Sequence, residues 1–380
     1  MILDPIKLKD MAVTRTGLSA FGTAPLDEGL AIYCAALARE AELSDHGMMV
    51  AAESIISTLS ERLQVENALS RNPAILDQPL GSLLMIVGIP RTGTTALSQY
   101  IAEDPRARSI LRWEARELVR QHADPNDTED PRIERARASF ATRNREQPWL
   151  QSVLPVDYND PAEHGPMLGL TFLNLQLPVR YHVPSYAAWL SEQDLTPAYS
   201  YLEKVLKLLQ SQSPGQFWNL KNPPDLFALD VIHKVFPDAR FIWTHRDPVD
   251  SIGSVCSLAA ALRRSAGAAV SERGIGDSLS SFWATGVHRA MQARERMGED
   301  RFFDINQRDL SAAGISTIQC LYADLDIPFS EEYRVKLERR LFEKPAGRHG
   351  KHSYVLSDFG LDPTDLRGKF AAYIERFAGP

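Results

Sequence analysis

The sequence has few of the residues that mark several common protein classes. Only three of its 380 residues are cysteines, and Cys34, Cys256 and Cys320 lie far apart. This spacing gives neither a disulfide framework nor a zinc-binding pattern, and sparse cysteines are typical of a reducing compartment. No apolar run approaches the ~18 residues of a membrane span, and the N-terminus is charged where a signal peptide would be apolar. We therefore expect a cytoplasmic protein without a membrane span.

A surplus of positive charge is also missing. The chain has 42 Lys and Arg against 49 Asp and Glu, which gives a formal net charge of −7. Because phosphate contacts along a nucleic acid need a basic surplus, a free-standing nucleic-acid binder is excluded. Hydrophobic residues make up 44% and charged residues 24%, which excludes a disordered chain. The composition predicts an ordinary globular protein, and it does not indicate an oligomeric state.

Short apolar runs alternate with helical patterns along the chain. Strands are predicted at 83–87, 217–220, 240–244 and 301–305, and helices at 28–70 and 186–210. This alternation predicts an α/β fold, with a P-loop-like central parallel sheet flanked by helices in a single large domain. Residues 1–78 are expected to form a helical N-terminal layer, packed as one unit with an α/β domain of residues 79–380. The polar stretch 121–165 is expected to form loops and short surface helices.

The first predicted strand is followed by the layout of a phosphate-binding loop. After the strand come Gly88-x-x-x-x-Gly93-Thr94-Thr95 and a helix, so backbone N–H groups and the helix N-terminus form a cradle for an anion. The usual P-loop has a lysine where Thr94 stands, and that lysine reaches the terminal phosphates of a nucleoside triphosphate. Its loss argues against ATP or GTP, whereas Arg91 supplies a cation elsewhere in the loop. The alternative is a glycine-containing turn that binds nothing.

A second candidate site follows the strand predicted at 240–244. Arg246 precedes a helix that Asp247 is predicted to cap, and Ser254 lies about two turns inside that helix. A guanidinium, a hydroxyl and a helix N-terminus together favour a phosphate. Because ligands bind at the carboxyl ends of parallel strands, the two sites predict a ligand with two separated phosphates. Alternatively, Arg246 only pairs with Asp247 or Asp250, and Ser254 is a small packing residue.

Several motifs resemble those of sulfotransferases that use 3′-phosphoadenosine 5′-phosphosulfate (PAPS), above all a bacterial branch of that family. The resemblance runs from about residue 80 to residue 360. Its motifs are Pro90-Arg91-Thr92-Gly93-Thr94-Thr95, Trp218-Asn219-Leu220-Lys221-Asn222-Pro223, Arg246 with Ser254, and Gly347-Arg348-His349-Gly350-Lys351-His352. The resemblance implies that Arg91, Thr92, Gly93, Thr94 and Thr95 bind the 5′-phosphosulfate and that Lys221 lies near the sulfuryl group. It also implies that Arg246 and Ser254 bind the 3′-phosphate, and that Arg348, His349 and Gly350 close over it.

The resemblance leaves the catalytic base open. Cytosolic animal members of the family have a histidine two residues after the strand lysine, where this sequence has Pro223, which cannot accept a proton. Tyrosylprotein sulfotransferases use a glutamate after the loop helix, and Trp113-Glu114-Ala115-Arg116 resembles that segment. Glu114 is therefore the first candidate, and Glu163 and His164 follow. A solvent-exposed charged face explains Glu114 equally well.

The predicted activity is sulfuryl transfer from PAPS to a hydroxyl or amine of a small-molecule acceptor, leaving adenosine 3′,5′-bisphosphate. Such a transfer depends on positioning and charge stabilisation, so Arg91 and Lys221 are predicted to be catalytic together with the base Glu114. The sulfuryl group carries a single negative charge, and we expect no metal requirement. The alternatives are a P-loop kinase-like phosphotransferase, which would need the missing loop lysine, and a non-catalytic nucleotide-binding protein.

Overall fold

A five-stranded parallel sheet lies at the centre of the structure. The structure is a computed structural model that describes residues 3–120, 130–153, 155–343 and 354–377. The strands are β1 (Ser82–Val87), β2 (Ala107–Arg108), β3 (Phe217–Lys221), β4 (Arg240–His245) and β5 (Phe302–Asn306). Their order across the sheet is β2-β3-β1-β4-β5, and all neighbouring strands are parallel. The predicted fold class is confirmed.

The position of the central strand β1 between two hydrophobic cores explains its continuous apolar sequence. Leu84 and Ile86 belong to the hydrophobic core on one face of the sheet, and Met85 and Val87 to the core on the other. A strand covered on both faces needs apolar residues at every position. Ile86 pairs with Lys221 of β3, and Val87 with Trp243 of β4. The carboxyl ends of these three strands therefore meet at one edge, where the loops that follow them form a crevice.

Helices cover both faces of the sheet, as parallel crossovers require. The α-helices are α1 (Pro5–Thr16), α2 (Asp27–Glu40), α3 (Asp45–Arg71), α4 (Thr94–Ile101), α5 (Pro131–Glu146), α6 (Leu150–Val153), α7 (Gly165–Leu168), α8 (Leu177–Arg180), α9 (Pro184–Ser191), α10 (Thr196–Gln212), α11 (Leu229–Val235), α12 (Pro248–Ser265), α13 (Glu272–Met297), α14 (Gln307–Ala312), α15 (Gly314–Asp324), α16 (Glu331–Glu343), α17 (Pro363–Lys369) and α18 (Ala371–Phe377). Short 3-10 helices occupy Pro73–Ile75, Glu114–Arg116, Gly169–Thr171, Pro223–Phe227, Glu299–Arg301 and Leu356–Phe359. None of the described helices has the length and apolar character needed to cross a membrane.

The N-terminal helices α1, α2 and α3 share one hydrophobic core with the sheet. A buried arginine on α3 strengthens this connection. Arg62 is 0% exposed, and its guanidinium donates to the backbone carbonyls of Phe21 (2.7 Å), Ala24 (2.6 Å), Pro25 (3.1 Å) and Leu170 (2.7 Å). Leu170 lies in the α/β part of the chain, so the guanidinium holds the helical layer against it. The boundary between residues 78 and 79 stays a prediction.

Several elements differ from the sequence-based expectations. The helix predicted at 28–70 is two helices, because the chain turns at Glu42, which has a φ of 47°, and Leu43 forms a bridge with Ala268. The helix predicted at 186–210 is likewise interrupted between α9 and α10. Helix α5 spans 16 residues within a stretch expected to form only loops and short helices. Strand β2 was not predicted, because two residues carry no periodic pattern.

Candidate active site

The phosphate-binding loop connects β1 to α4 in the predicted way. Gly93 immediately precedes α4 with a φ of 96°, and Arg91 inside the loop has a φ of 74°. A positive φ is strained for an arginine, by about 1–3 kcal/mol, and such strain concentrates at functional sites. These backbone angles curl residues 88–93 around the N-terminus of α4. The N–H groups at that terminus lack partners within the helix, so the loop and helix form a cradle suited to an anion.

Contacts with β4 determine the shape of this loop. A Cβ on Gly88 would lie 2.5 Å from Thr244 Oγ1 and 2.8 Å from the Thr244 carbonyl oxygen, so only glycine fits there. The Thr92 hydroxyl donates to the Ile89 carbonyl (2.7 Å) and lies 2.6 Å from Thr244 Oγ1. Thr92 is fully buried. Its hydroxyl therefore shapes the loop, and the predicted role of Thr92 in cofactor binding stays a prediction.

Arg91, Arg246 and Ser254 lie together where the two predicted phosphate sites meet. Arg91 Nε donates to Ser254 Oγ (3.1 Å), and Arg246 Nη1 donates to the Arg91 carbonyl (3.2 Å). Asp247 caps α12 by accepting from Val249 N (2.9 Å), as predicted. Burial and the nearby Arg246 charge lower the pKa of Arg91. An anion at this point would relieve the repulsion between the two guanidiniums, so the residues present fit a phosphate-bearing ligand.

One residue beside this site, Tyr354, was not predicted from the sequence. Other residues predicted to belong to the site lie outside the part of the chain that the structure describes. The Tyr354 hydroxyl donates to the Asp250 carbonyl (2.7 Å), and the Tyr354 ring packs so closely on α12 that a Cβ on Gly253 would clash with it. No sequence signal identified Tyr354. Arg348, His349 and Gly350 lie outside the described residues, as do Lys351 and His352. Their predicted role at the 3′-phosphate stays a prediction.

Lys221 ends β3 as a buried lysine beside the phosphate-binding loop. Its side chain is 2% exposed, and Nζ lies 2.8 Å from Glu163 Oε1 and 3.5 Å from Thr95 Oγ1. Glu163 keeps 33% of its side-chain surface exposed. The ammonium therefore lies between the loop and a carboxylate that opens toward solvent. This geometry places a cation and a candidate proton acceptor side by side, close to the start of α4.

A buried chain of hydrogen bonds supports Glu163 and Lys221 from behind. Gln176 Nε2 donates both to Glu163 Oε2 and to Asn222 Oδ1. Asn222 Nδ2 donates to Asp225 Oδ1 (2.6 Å), which also accepts from the Tyr199 hydroxyl (2.7 Å). His164 Nε2 lies 2.9 Å from Asp225 Oδ2 without the alignment of a hydrogen bond. Because His164 is 0% exposed, it is poorly placed to serve as a base for an acceptor.

Burial and the opposite charge of the partner act against each other on the pKa of each member of this pair. Burial raises the pKa of Glu163, but the adjacent Lys221 and the Arg112 guanidinium outweigh burial, so the net pKa is lowered. Burial lowers the pKa of Lys221 against the attraction of Glu163. A negatively charged donor group near Lys221 would draw the ammonium toward itself. Glu163 would then lose its counter-charge and become a stronger proton acceptor.

Glu114 lies in a different environment from the one expected of a base. It is 2% exposed, and its two carboxylate oxygens accept from Arg108 Nη1 (2.8 Å) and Nη2 (2.6 Å). The Leu111 N–H also donates to Glu114 (3.0 Å). The alternative of a solvent-exposed charged face is therefore wrong, because the carboxylate is buried. Catalysis by Glu114 stays a prediction, but its buried carboxylate is occupied by Arg108 and the Leu111 N–H, whereas Glu163 is partly exposed beside Lys221.

Comparison with known proteins decides the family. A sulfotransferase family model matches residues 84–331, which include both phosphate motifs and Lys221. The chain belongs to the sulfotransferase family. The predicted resemblance and the predicted enzyme class are thereby confirmed, and the match does not favour the kinase-like alternative. Among the described residues of this sulfotransferase, no three His, Cys, Asp or Glu side chains are grouped to hold a metal ion.

Mycobacterial relatives resemble this sulfotransferase along most of its length. An omega-hydroxy-beta-dihydromenaquinone-9 sulfotransferase, Stf3 of Mycobacterium tuberculosis, is 25% identical over 280 residues, covering 70% of this chain and 67% of Stf3. The crystal structure of STF1 from M. tuberculosis superposes with a TM-score of 0.85 at 28% identity, covering 97% of this chain and 98% of STF1. STF9 from Mycobacterium avium gives 0.87 at 29% identity, covering 98% and 96%. Such coverage extends the shared fold to the N-terminal helices of the sulfotransferase.

Proposed function

We propose that the sulfotransferase moves a sulfuryl group from PAPS to a hydroxyl or amine of a small-molecule acceptor. The observation that carries this proposal is the cluster of Arg91, Arg246 and Ser254 at the carboxyl edge of the sheet. It places two guanidiniums and a hydroxyl beside the cradle at α4, which suits a nucleotide with separate 5′ and 3′ phosphates. A hydroxyl is the favoured acceptor group, since the relative Stf3 is named for a hydroxylated acceptor.

The chain's own residues have distinct tasks in this transfer. The cradle of Gly93, Thr94 and Thr95 binds the 5′-phosphate, and Arg246 with Ser254 binds the 3′-phosphate. Arg91 and Lys221 neutralise the charge that develops on the bridging oxygen and the equatorial sulfuryl oxygens. Glu163 accepts the proton of the acceptor hydroxyl while the oxygen of that hydroxyl forms the new bond to sulfur. The bond from sulfur to the bridging oxygen breaks, which leaves adenosine 3′,5′-bisphosphate.

The location of the reaction is also part of the proposal. None of the three cysteines forms a disulfide, and Cys34 and Cys256 are buried. Free buried thiols are compatible with a reducing compartment, and we therefore propose the cytoplasm.

Binding of adenosine 3′,5′-bisphosphate tests the donor assignment directly. We expect isothermal titration calorimetry to give a Kd for AMP roughly 10- to 100-fold higher, because a charge-assisted bond to the 3′-phosphate is worth ~1.5–3 kcal/mol. Arg246→Ala should abolish most of this difference. The matched control is Arg264→Ala, which removes an exposed arginine near the other end of α12 that pairs with Glu272. Equal affinity for the two nucleotides in the wild-type protein would contradict the two-phosphate assignment.

A further inference from the structure

The C-terminal segment of the chain contacts the start of α12 at three points. This segment consists of residues 354–377, which include α17 and α18 and follow the residues that the family model matches. At the first point the Tyr354 hydroxyl donates to the Asp250 carbonyl (2.7 Å). At the second, Arg367 Nη2 of α17 lies 2.9 Å from Asp247 Oδ2. Because Asp247 Oδ1 caps α12, this ion pair joins α17 to the helix cap.

The third point is buried and lies one residue before Arg246. His245 ends β4, and its Nδ1 lies 3.1 Å from the Tyr373 hydroxyl of α18. Its Nε2 lies 2.9 Å from Asp304 Oδ1. The His245 ring also stacks on Phe377, with the ring centroids 4.3 Å apart and the planes inclined by 10°. These contacts fix the residue that leads into Arg246.

The donors and acceptors at this buried point can be assigned. Burial raises the pKa of Asp304, but hydrogen bonds from His245 and Arg294 outweigh burial and lower the net pKa, so the carboxylate only accepts. Burial also lowers the pKa of His245, which favours a neutral ring. A neutral ring that donates from Nε2 to Asp304 accepts at Nδ1. The Tyr373 hydroxyl therefore donates to His245.

The oxygen of the same hydroxyl faces the backbone of Arg246. Burial raises the pKa of Tyr373, and the backbone of Arg246 opposes that rise. Since the proton of the hydroxyl is directed to His245, its oxygen remains available to the Arg246 N–H. One hydroxyl of α18 thus acts on Arg246 and on the residue before it, while Arg367 of α17 holds the residue after it.

The side chain of Arg246 has weaker support of its own. Its Nη1 donates to the Arg91 carbonyl at 3.2 Å, and its Nη2 lies 3.4 Å from Asp250 Oδ2. About a third of the side chain (32%) is exposed. Contacts of this length to a half-exposed side chain are weak, so the direction of the guanidinium depends on how its backbone is held.

We propose that the C-terminal segment positions Arg246 for the 3′-phosphate of the nucleotide, with Tyr373 and Arg367 as the positioning residues. This inference rests on the proposed function, since it takes Arg246 to bind that phosphate. A guanidinium binds a phosphate through directed N–H donors, so residues that never touch the ligand determine the affinity when they fix the arginine. The effect should be confined to nucleotides that carry a 3′-phosphate, because both positioning residues act on Arg246 and its two neighbours.

Two substitutions in the C-terminal segment test this role. Tyr373→Phe removes one hydroxyl and keeps the ring that packs on Trp243 and Phe377. Isothermal titration calorimetry should give a Kd for adenosine 3′,5′-bisphosphate roughly 2- to 10-fold higher, the effect of losing one hydrogen bond, and an unchanged Kd for AMP. Arg367→Gln should act in the same direction by a smaller factor, because its side chain is 54% exposed. Arg367→Lys keeps the charge and should restore most of the affinity.

A comparison with a neighbouring residue and with AMP separates positioning from a general loss of structure. Glu375→Gln changes an exposed side chain two positions after Tyr373 on α18, and should alter neither Kd. A purely structural role of Tyr373 would lower the fraction of protein that binds, or would weaken both nucleotides alike. If Tyr373→Phe changes the two Kd values by the same factor, or changes neither, the inference is wrong.

Hydrogen exchange of the nucleotide-free protein separates the inference from the proposed function. Mass spectrometry should show that peptides from residues 245–251 exchange roughly 2- to 10-fold faster in Tyr373→Phe than in the wild type or in Glu375→Gln. Unchanged exchange in these peptides would show that the C-terminal segment does not hold the start of α12, which overturns the inference whatever nucleotide binds. If exchange rises there but the wild-type protein binds adenosine 3′,5′-bisphosphate and AMP equally, the segment holds Arg246 and the donor assignment is what fails.

Discussion

Replacing Glu163 by glutamine tests the proposed chemistry at the point where sequence and structure disagree. Glutamine keeps the size and an oxygen that can accept from Lys221 Nζ, but it cannot take up a proton. A positioned base contributes ~10²–10⁴-fold to the rate, so we expect Glu163→Gln to lower kcat by a factor in that range. Because the buried Lys221 (2% exposed) would lose its counter-charge, the melting temperature should also fall, and rates are therefore compared per folded protein. The affinity for adenosine 3′,5′-bisphosphate should stay close to that of the wild type.

Glu114→Gln should destabilise the protein without the loss of turnover. The carboxylate of Glu114 neutralises the buried Arg108, whose side chain is 7% exposed. Removing one partner of a buried ion pair destabilises a protein by about 3–5 kcal/mol, so the melting temperature should fall by several degrees. The folded fraction should then turn over at nearly the wild-type rate. Rates of adenosine 3′,5′-bisphosphate formation and thermal melts followed by circular dichroism measure the two effects separately.

The dependence of rate on pH gives an independent check on Glu163. The base must be deprotonated, and Lys221 holds the pKa of Glu163 below its ordinary value of ~4.3 in the free enzyme. The acid limb of kcat/KM should therefore lie below that value, and Glu163→Gln should lack it. Glu203→Gln, which breaks a partly exposed pair with Lys207 far from the phosphate-binding loop in sequence, is the control and should change neither the rate nor the acid limb. If Glu163→Gln works at the wild-type rate while folded Glu114→Gln is slow, the base is Glu114.

Two further perturbations follow from the site and its surroundings. Arg91→Ala should both weaken adenosine 3′,5′-bisphosphate binding and lower kcat, because Arg91 contacts Ser254 and would also face the sulfuryl charge. Calorimetry measures the binding and initial rates measure kcat. A change in only one of the two quantities contradicts this dual role. Burial raises the pKa of Glu61 to about 7. Between pH ~4.3 and 7 the unfolded chain therefore releases a proton that the folded protein keeps. The free energy of unfolding should fall as the pH rises through this range. Glu61→Gln should then raise the melting temperature at pH 8 and leave it unchanged at pH 4, and a gain of equal size at both values would refute the assignment.

Features that depend on adjacent residues could be predicted from the sequence. The continuous apolar run of β1 and the glycines on either side of Arg91 identify a strand, a loop and a helix start within a dozen residues. Asp247 likewise marks the start of α12, because an N-cap and the helix it begins are neighbours in the chain. These local patterns were sufficient to predict the fold class and the position of the loop that we propose to bind a phosphate.

Features that depend on distant residues could not be predicted in this way. Glu163 meets Lys221 across 58 positions of sequence, and no local pattern indicates which acid a strand lysine will contact. Charged residues surround Glu114 in the sequence, which suggests an exposed position. In the fold, Glu114 instead forms a buried ion pair with Arg108, which lies six residues earlier in the chain. Arg116 precedes α5 and Arg143 lies within it, and only the fold brings both guanidiniums onto one ring, that of Phe140.

The buried guanidinium of Arg62 has a practical consequence for anyone who wishes to shorten this protein. The family match begins at residue 84, so a fragment cut at β1 would retain every residue that we propose to bind a phosphate. Such a fragment would lose the donor that satisfies the Leu170 carbonyl, along with the apolar face that α1, α2 and α3 lay over the sheet. The family match therefore starts later in the chain than the shared hydrophobic core, and an expression boundary belongs ahead of α1.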